Sequence, residues 1–129
     1  MKTEDLNAAR QAMENLLPEV ERETWDDGTL VVFRQSPFTY RRTPHPPAKA
    51  IPMLRFVPVD VAQTFATQKR VTEIGVLKYL DGASDDLRPF VVEESDGTFT
   101  IQDGHHRFVA AYLRGVKTLQ CRVVKGVRA

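Results

Sequence analysis

The densest run of chemically capable side chains is Asp103-Gly104-His105-His106-Arg107. Asp103 can cap a helix, hold a divalent cation or accept a proton from an attacking hydroxyl. His105 and His106 exchange protons near neutrality, and Arg107 is a forked donor that matches phosphate oxygens. Gly104 admits a sharp turn and lets a ligand approach the backbone closely. Together these residues suit capture of a phosphate or carboxylate with proton transfer beside it. The plain alternative is a turn in which Asp103 serves only as an N-cap. Asp-Gly also occurs at Asp27-Gly28, Asp81-Gly82 and Asp96-Gly97, where a turn is explanation enough. The fourth copy differs in being followed by His-His-Arg and an apolar, Ala-containing run.

Two elements must position this run. Phe99-Thr100-Ile101-Gln102 reads as a strand, and a helix is predicted from about His105 to Arg114, with Gly115 at its C-terminal end. The first N–H groups of such a helix lack intrahelical acceptors and sit at the positive end of its dipole, which favours an anion. The strand is the return arm of a hairpin, from Arg88–Glu93 through a Ser95-Asp96-Gly97-Thr98 turn. Leu119–Val124 reads as the last strand. Upstream, Leu6, Ala9, Met13, Leu16 and Leu17 recur at three- and four-residue steps, predicting a helix over Thr3–Leu17 that Pro18 stops. Turn-forming Asp26, Asp27 and Gly28 lead to a short strand at Leu30–Phe33. Six of the prolines fall within residues 37–58, which excludes a helix there and predicts a long extended loop. Leu54–Val59 reads as a strand running into Asp60, an N-cap candidate. Two short helical stretches follow, one holding Val61, Ala62 and Phe65, the other Val71, Ile74, Leu77 and Leu80. Gly75 interrupts the second and reads as a helix end; Asp81–Asp86 is a polar loop.

At 129 residues the chain is sized for one domain. With 42% hydrophobic and 27% charged residues, the composition is neither that of a disordered segment nor that of a membrane protein. No apolar run is long enough to span a bilayer. Lys2, Glu4 and Asp5 follow Met1 with no apolar block, so a secretory leader is not expected. A lone Cys121 excludes an internal disulfide framework and a Cys-based zinc site, and points to a reducing cytoplasm. The net charge of +1 hides an uneven layout. Residues 28–59 contain Arg34, Arg41, Arg42, Lys49 and Arg55 and no acid, and the chain beyond Asp103 is again free of acids. Either an anionic partner or the acidic N-terminal segment folding back answers that asymmetry. Arg41 and Arg42, beside Phe38 and Tyr40, are the candidates for gripping nucleic acid by charge and stacking; a solvated loop is the alternative.

The segment from Ile101 to Tyr112 resembles the nucleotide-binding signature of the ParB/sulfiredoxin superfamily. The wider likeness runs from about Val57 to Val124, with Val57-Pro58-Val59-Asp60 as the entry strand and Ile74-Gly75-Val76-Leu77 as a helix end. Gly104-His105-His106-Arg107 stands where partition proteins have a Gly-Glu-Arg-Arg type sequence. The helix-turn-helix and dimerisation regions of those proteins have no counterpart here, so a complete partition protein is not expected. Sulfiredoxins carry a cysteine at the position of His105, so peroxiredoxin repair is not expected either. Asp-Gly-His-His-Arg is most similar to the signature of free serine kinases with this fold.

The resemblance implies a single compact α+β domain with a mixed sheet. Residues 54–129 would form the nucleotide-binding domain, and residues 1–53 an extension made of the N-terminal helix, a strand and the Pro-rich loop. It further implies ATP or CTP with Mg²⁺, and phosphate hydrolysis or transfer. Gly104, His105, His106 and Arg107 would hold the phosphates. Asp103 would act as base or metal ligand, and His106 would stabilise developing charge. Asp60 is the candidate for a second, upstream carboxylate. Two other functions stand beside this one: a DNA-binding or nuclease module using residues 34–55 and the basic C-terminal segment, and a non-catalytic regulator that keeps the pocket as a ligand switch.

Overall fold

The computed structural model describes residues 3–42, 49–50, 54–80 and 88–127. The prolines at 44, 46, 47 and 52, His45 and the polar loop at 81–86 lie outside the described residues. Helix α1 (Thr3–Leu16) runs into a hairpin of β1 (Glu19–Thr24) and β2 (Leu30–Gln35). Next come β3 (Lys49–Ala50) and β4 (Arg55–Asp60), then a 3₁₀ turn at Val61–Gln63 and β5 (Thr64–Phe65). β6 (Arg70–Thr72) leads directly into α2 (Glu73–Leu80). The C-terminal third is β7 (Phe90–Glu93), β8 (Phe99–Asp103), α3 (His105–Leu113) and β9 (Thr118–Val127).

These strands form two sheets. The smaller is antiparallel, in the order β1-β2-β6. The larger is mixed, in the order β3-β9-β7-β8-β5, with β4 also paired to β9. β9 lies antiparallel to β4 on one side and parallel to β7 on the other. β8 is antiparallel to β7 and parallel to β5. The fold is therefore the single α+β domain with mixed sheet and N-terminal helix that the sequence predicts.

Strand alternation places Val91, Ile101, Cys121 and Val123 on the inner face of the larger sheet, all fully buried. α3 packs on that face through Phe108 and Val109. The Phe38 ring meets Phe108 edge-on, 6.2 Å between centroids. Met13 and Leu17, from α1 and the residue after it, close the same core. Residues upstream of 53 thus share one core with those downstream. A buried ion pair fastens the two parts: Arg34 on β2 meets Glu73 at the start of α2 at 3.0 Å, and also donates to the Leu17 carbonyl.

Four local expectations change. β1 is a strand although all six of its residues are exposed and it shows no apolar alternation. Pairing with β2 and the Glu21–Arg70 ion pair hold it instead. The stretch at 61–65 is a single 3₁₀ turn followed by strand, because Thr64 and Phe65 pair with β8. Val71 belongs to β6, where it packs in the core opposite Arg34. Gly75 lies inside α2 rather than ending it, since it is the point where another element comes closest.

Candidate functional site

The strand-to-helix junction at Asp103–Arg107 is built by packing against Pro89. Gly104 has φ +93°, a left-handed conformation, and a Cβ there would stand 2.9 Å from the Pro89 Cβ. Both the torsion and the space require glycine. Gly104 is the N-cap of α3 and offers no side chain to the helix; Asp103, one residue earlier, is exposed at the end of β8. Asp103 is therefore not the cap of this helix. Its carboxylate stands beside an N-terminus whose first N–H groups have no acceptor within the helix.

The two histidines face into the protein. His105 is buried, and its Nε2 accepts the Thr67 N–H at 3.0 Å. Thr67 is held in turn by its hydroxyl, which donates to the Ile101 carbonyl at 2.8 Å. Half-buried His106 accepts the Thr72 N–H at Nε2, at 3.1 Å, with the Thr72 hydroxyl 3.2 Å away. An acceptor Nε2 puts the single ring proton on Nδ1, so each imidazole is neutral in this arrangement. Burial pushes the His106 pKa below the ordinary histidine value, in the same sense. A Cβ on Gly75 would fall 2.4 Å from His106 Cδ2, which shows how tightly α2 seats this ring. Any contribution of His105 to phosphate binding is consequently through its backbone, because its ring is committed to Thr67.

Arg107 is half-buried in the first turn of α3 and near enough to Cys121 to act on it. Burial nevertheless prevails at that thiol and raises its pKa to about 12. Cys121 Sγ–H donates to the Leu119 carbonyl at 3.2 Å, so it is a structural thiol in the sheet. On the opposite face of β8, Thr100 Oγ1 and both amide atoms of Gln102 are buried without a partner among the described residues.

Asp60 is not brought to the junction. It caps the 3₁₀ turn by accepting the Ala62 N–H at 3.0 Å, and borders a separate cavity with Tyr112, Gly115 and Lys117. These residues lie at the C-terminal end of α3, whose nine residues span about 13 Å. Arg41 is also engaged elsewhere. Its guanidinium stacks on Phe65 at 3.6 Å and donates to Thr98 Oγ1 at 2.6 Å, tying residues 39–41 to the β7–β8 hairpin. Arg42 is exposed.

One feature escapes the sequence pattern. A cavity of about 570 Å³ opens beside the first turn of α3, with His106 at that end. It is lined by Phe33, Tyr40 and the segment Thr67–Thr72, Phe33 being the sheet partner of Thr72. The legible signal was two threonines bracketing a short basic stretch, Gln68-Lys69-Arg70, but nothing in the sequence pairs them with the two histidines. Among the described residues no group of three His, Cys, Asp or Glu side chains is placed to hold a metal ion. A single carboxylate is still compatible with Mg²⁺, which takes one or two carboxylates together with substrate phosphates and water. No described helix is long and apolar enough to cross a membrane. No family model matches the chain, and none of the curated proteins matches it.

Proposed function

We propose that this is a ParB/sulfiredoxin-like domain that binds a nucleotide, ATP or CTP, by its phosphates at the Asp103–Arg107 junction, for phosphate hydrolysis or phosphoryl transfer. The observation that carries the reading is the α3 N-terminus: it follows a glycine in the left-handed region, lacks a capping side chain and has an arginine in its first turn. A forked guanidinium in that turn is placed to share an anion with the first N–H groups of the helix. The N–H groups of His105, His106 and Arg107 would face the phosphates, and the guanidinium would clamp them. Neutral His106 offers a proton donor at Nδ1, which stabilises charge developing on a transferred phosphoryl group. Exposed Asp103 serves as base for an attacking hydroxyl or as the carboxylate ligand of Mg²⁺, which when bound neutralises phosphate charge. Asp60 takes no part, being at the far end of α3. The lone, buried Cys121 suits a reducing cytoplasm.

Calorimetric titration of ATP and CTP tests the reading. Arg107→Ala is expected to weaken binding by about 1.5–3 kcal/mol, the worth of a charge-assisted hydrogen bond. Arg107→Lys should recover little, since a point charge does not reproduce the forked contact. Wild-type protein that binds neither nucleotide, or an Arg107→Ala variant that binds as tightly, would overturn it. For the DNA-binding alternative, Arg41 would act from a position stacked on Phe65 and hydrogen-bonded to Thr98.

A further inference from the structure

We infer that the cavity between Tyr40 and the Thr67–Thr72 segment receives the base and sugar of the nucleotide, so that the N-terminal part of the chain selects the ligand whose phosphates α3 holds. The inference rests on the phosphate reading above and extends it to a second set of residues. Tyr40 belongs to a part of the chain outside the stretch that resembles the superfamily.

Four observations carry it. The cavity adjoins the phosphate site through one side chain: His106, in the first turn of α3, is also its end wall. Its volume of about 570 Å³ lies in the range of small-ligand pockets. Its chemistry suits a planar ring attached to a negatively charged phosphate chain. Tyr40 is 42% exposed, and Lys69 Nζ lies over its ring, 4.9 Å from the centroid. Phe33 lies under the Arg70 guanidinium at 4.8 Å. Arg70 is shared with Glu21, which leaves Lys69 as the cation without an acid partner among the described lining residues. Finally, the wall is held in place rather than loose. Thr67 and Thr72, at its two ends, donate backbone N–H groups to the adjacent His105 and His106. The backbone N–H of Arg41 and the Ala66 carbonyl, with the Ala66 N–H and Thr39 carbonyl, fix Tyr40 against the start of that wall. A second cavity of about 500 Å³ lies on the other side of Tyr40, lined by Val20 and Phe38, but it does not reach α3.

Stacking of a base on an aromatic ring tolerates different bases, so Tyr40 would distinguish a nucleotide from bare phosphate more strongly than one base from another. The test compares ATP, CTP and inorganic tripolyphosphate by calorimetry on wild type, Tyr40→Ala and Tyr40→Phe, with thermal melting to confirm that each folds. Wild type should bind at least one nucleotide more tightly than tripolyphosphate. Tyr40→Ala should lose about five- to a hundred-fold in nucleotide affinity while tripolyphosphate affinity stays unchanged, and Tyr40→Phe should keep the nucleotide affinity. Nucleotide and tripolyphosphate binding equally to wild type, or a Tyr40→Ala variant that retains the preference, overturns the base site and leaves the phosphate site standing. Absence of binding by all three ligands removes the phosphate site and the base site with it.

Discussion

His106 accepts the Thr72 N–H with the same lone pair that a proton would occupy. Protonation therefore has to break that hydrogen bond and charge a half-buried ring, and the pKa is lowered in the folded protein. The unfolded chain then holds more protons than the folded one as pH falls through about 6.5, the value of a free imidazole. The stabilisation is complete above that value and is lost below it. Wild-type protein should accordingly lose stability between pH 7.5 and pH 5 by more than a His106→Gln variant does, as read from urea midpoints at the two values. Equal losses would mean that the ring is not held neutral by Thr72. The residues of the junction were legible as a group because their types are unusual together. Their orientation was not: two adjacent histidines read as two proton carriers facing a ligand, and only the path of residues 67–72 turns their Nε2 atoms inward.

At the scale of elements, α2 and α3 meet where Gly75 faces His106. The sequence suggested that this glycine ends a helix, because glycine inside one costs about 1 kcal/mol relative to alanine. Close approach outweighs propensity here. Gly75→Ala would gain helix propensity and still place a methyl group 2.4 Å from the imidazole and 2.8 Å from Thr72 Oγ1. A net loss of about 1–2 kcal/mol is expected by urea denaturation. A variant as stable as wild type would show that the ring moves aside without cost. The C-terminal hairpin, α3 and β9 were readable because their apolar periods are clear and their turns carry Asp-Gly or Gly. β1 was not, since Glu19-Val20-Glu21-Arg22-Glu23-Thr24 has the composition of a solvated loop and gains its strand geometry from β2.

For the whole molecule, the division at residue 53 follows from the family resemblance, and the core crosses it. Met13, Leu17 and Phe38 are buried against residues of the C-terminal part, and the largely buried Glu73 would lose its ion-pair partners Arg34 and Arg10 with the N-terminal part. A fragment spanning residues 54–129 is therefore expected to lack a cooperative unfolding transition, whereas the intact chain shows one in the same calorimetric scan. A fragment that melts cooperatively would mean the N-terminal part is dispensable to folding. The order of strands carries a consequence for synthesis. β9 is made after β4 and β7, yet it lies between them. Until residues 118–127 are available, β4 and β7 each keep an open hydrogen-bonding edge, the condition in which strands join the wrong partner. Native pairing of this sheet thus waits for residues 118–127, and the unpaired edges need protection until that strand joins them.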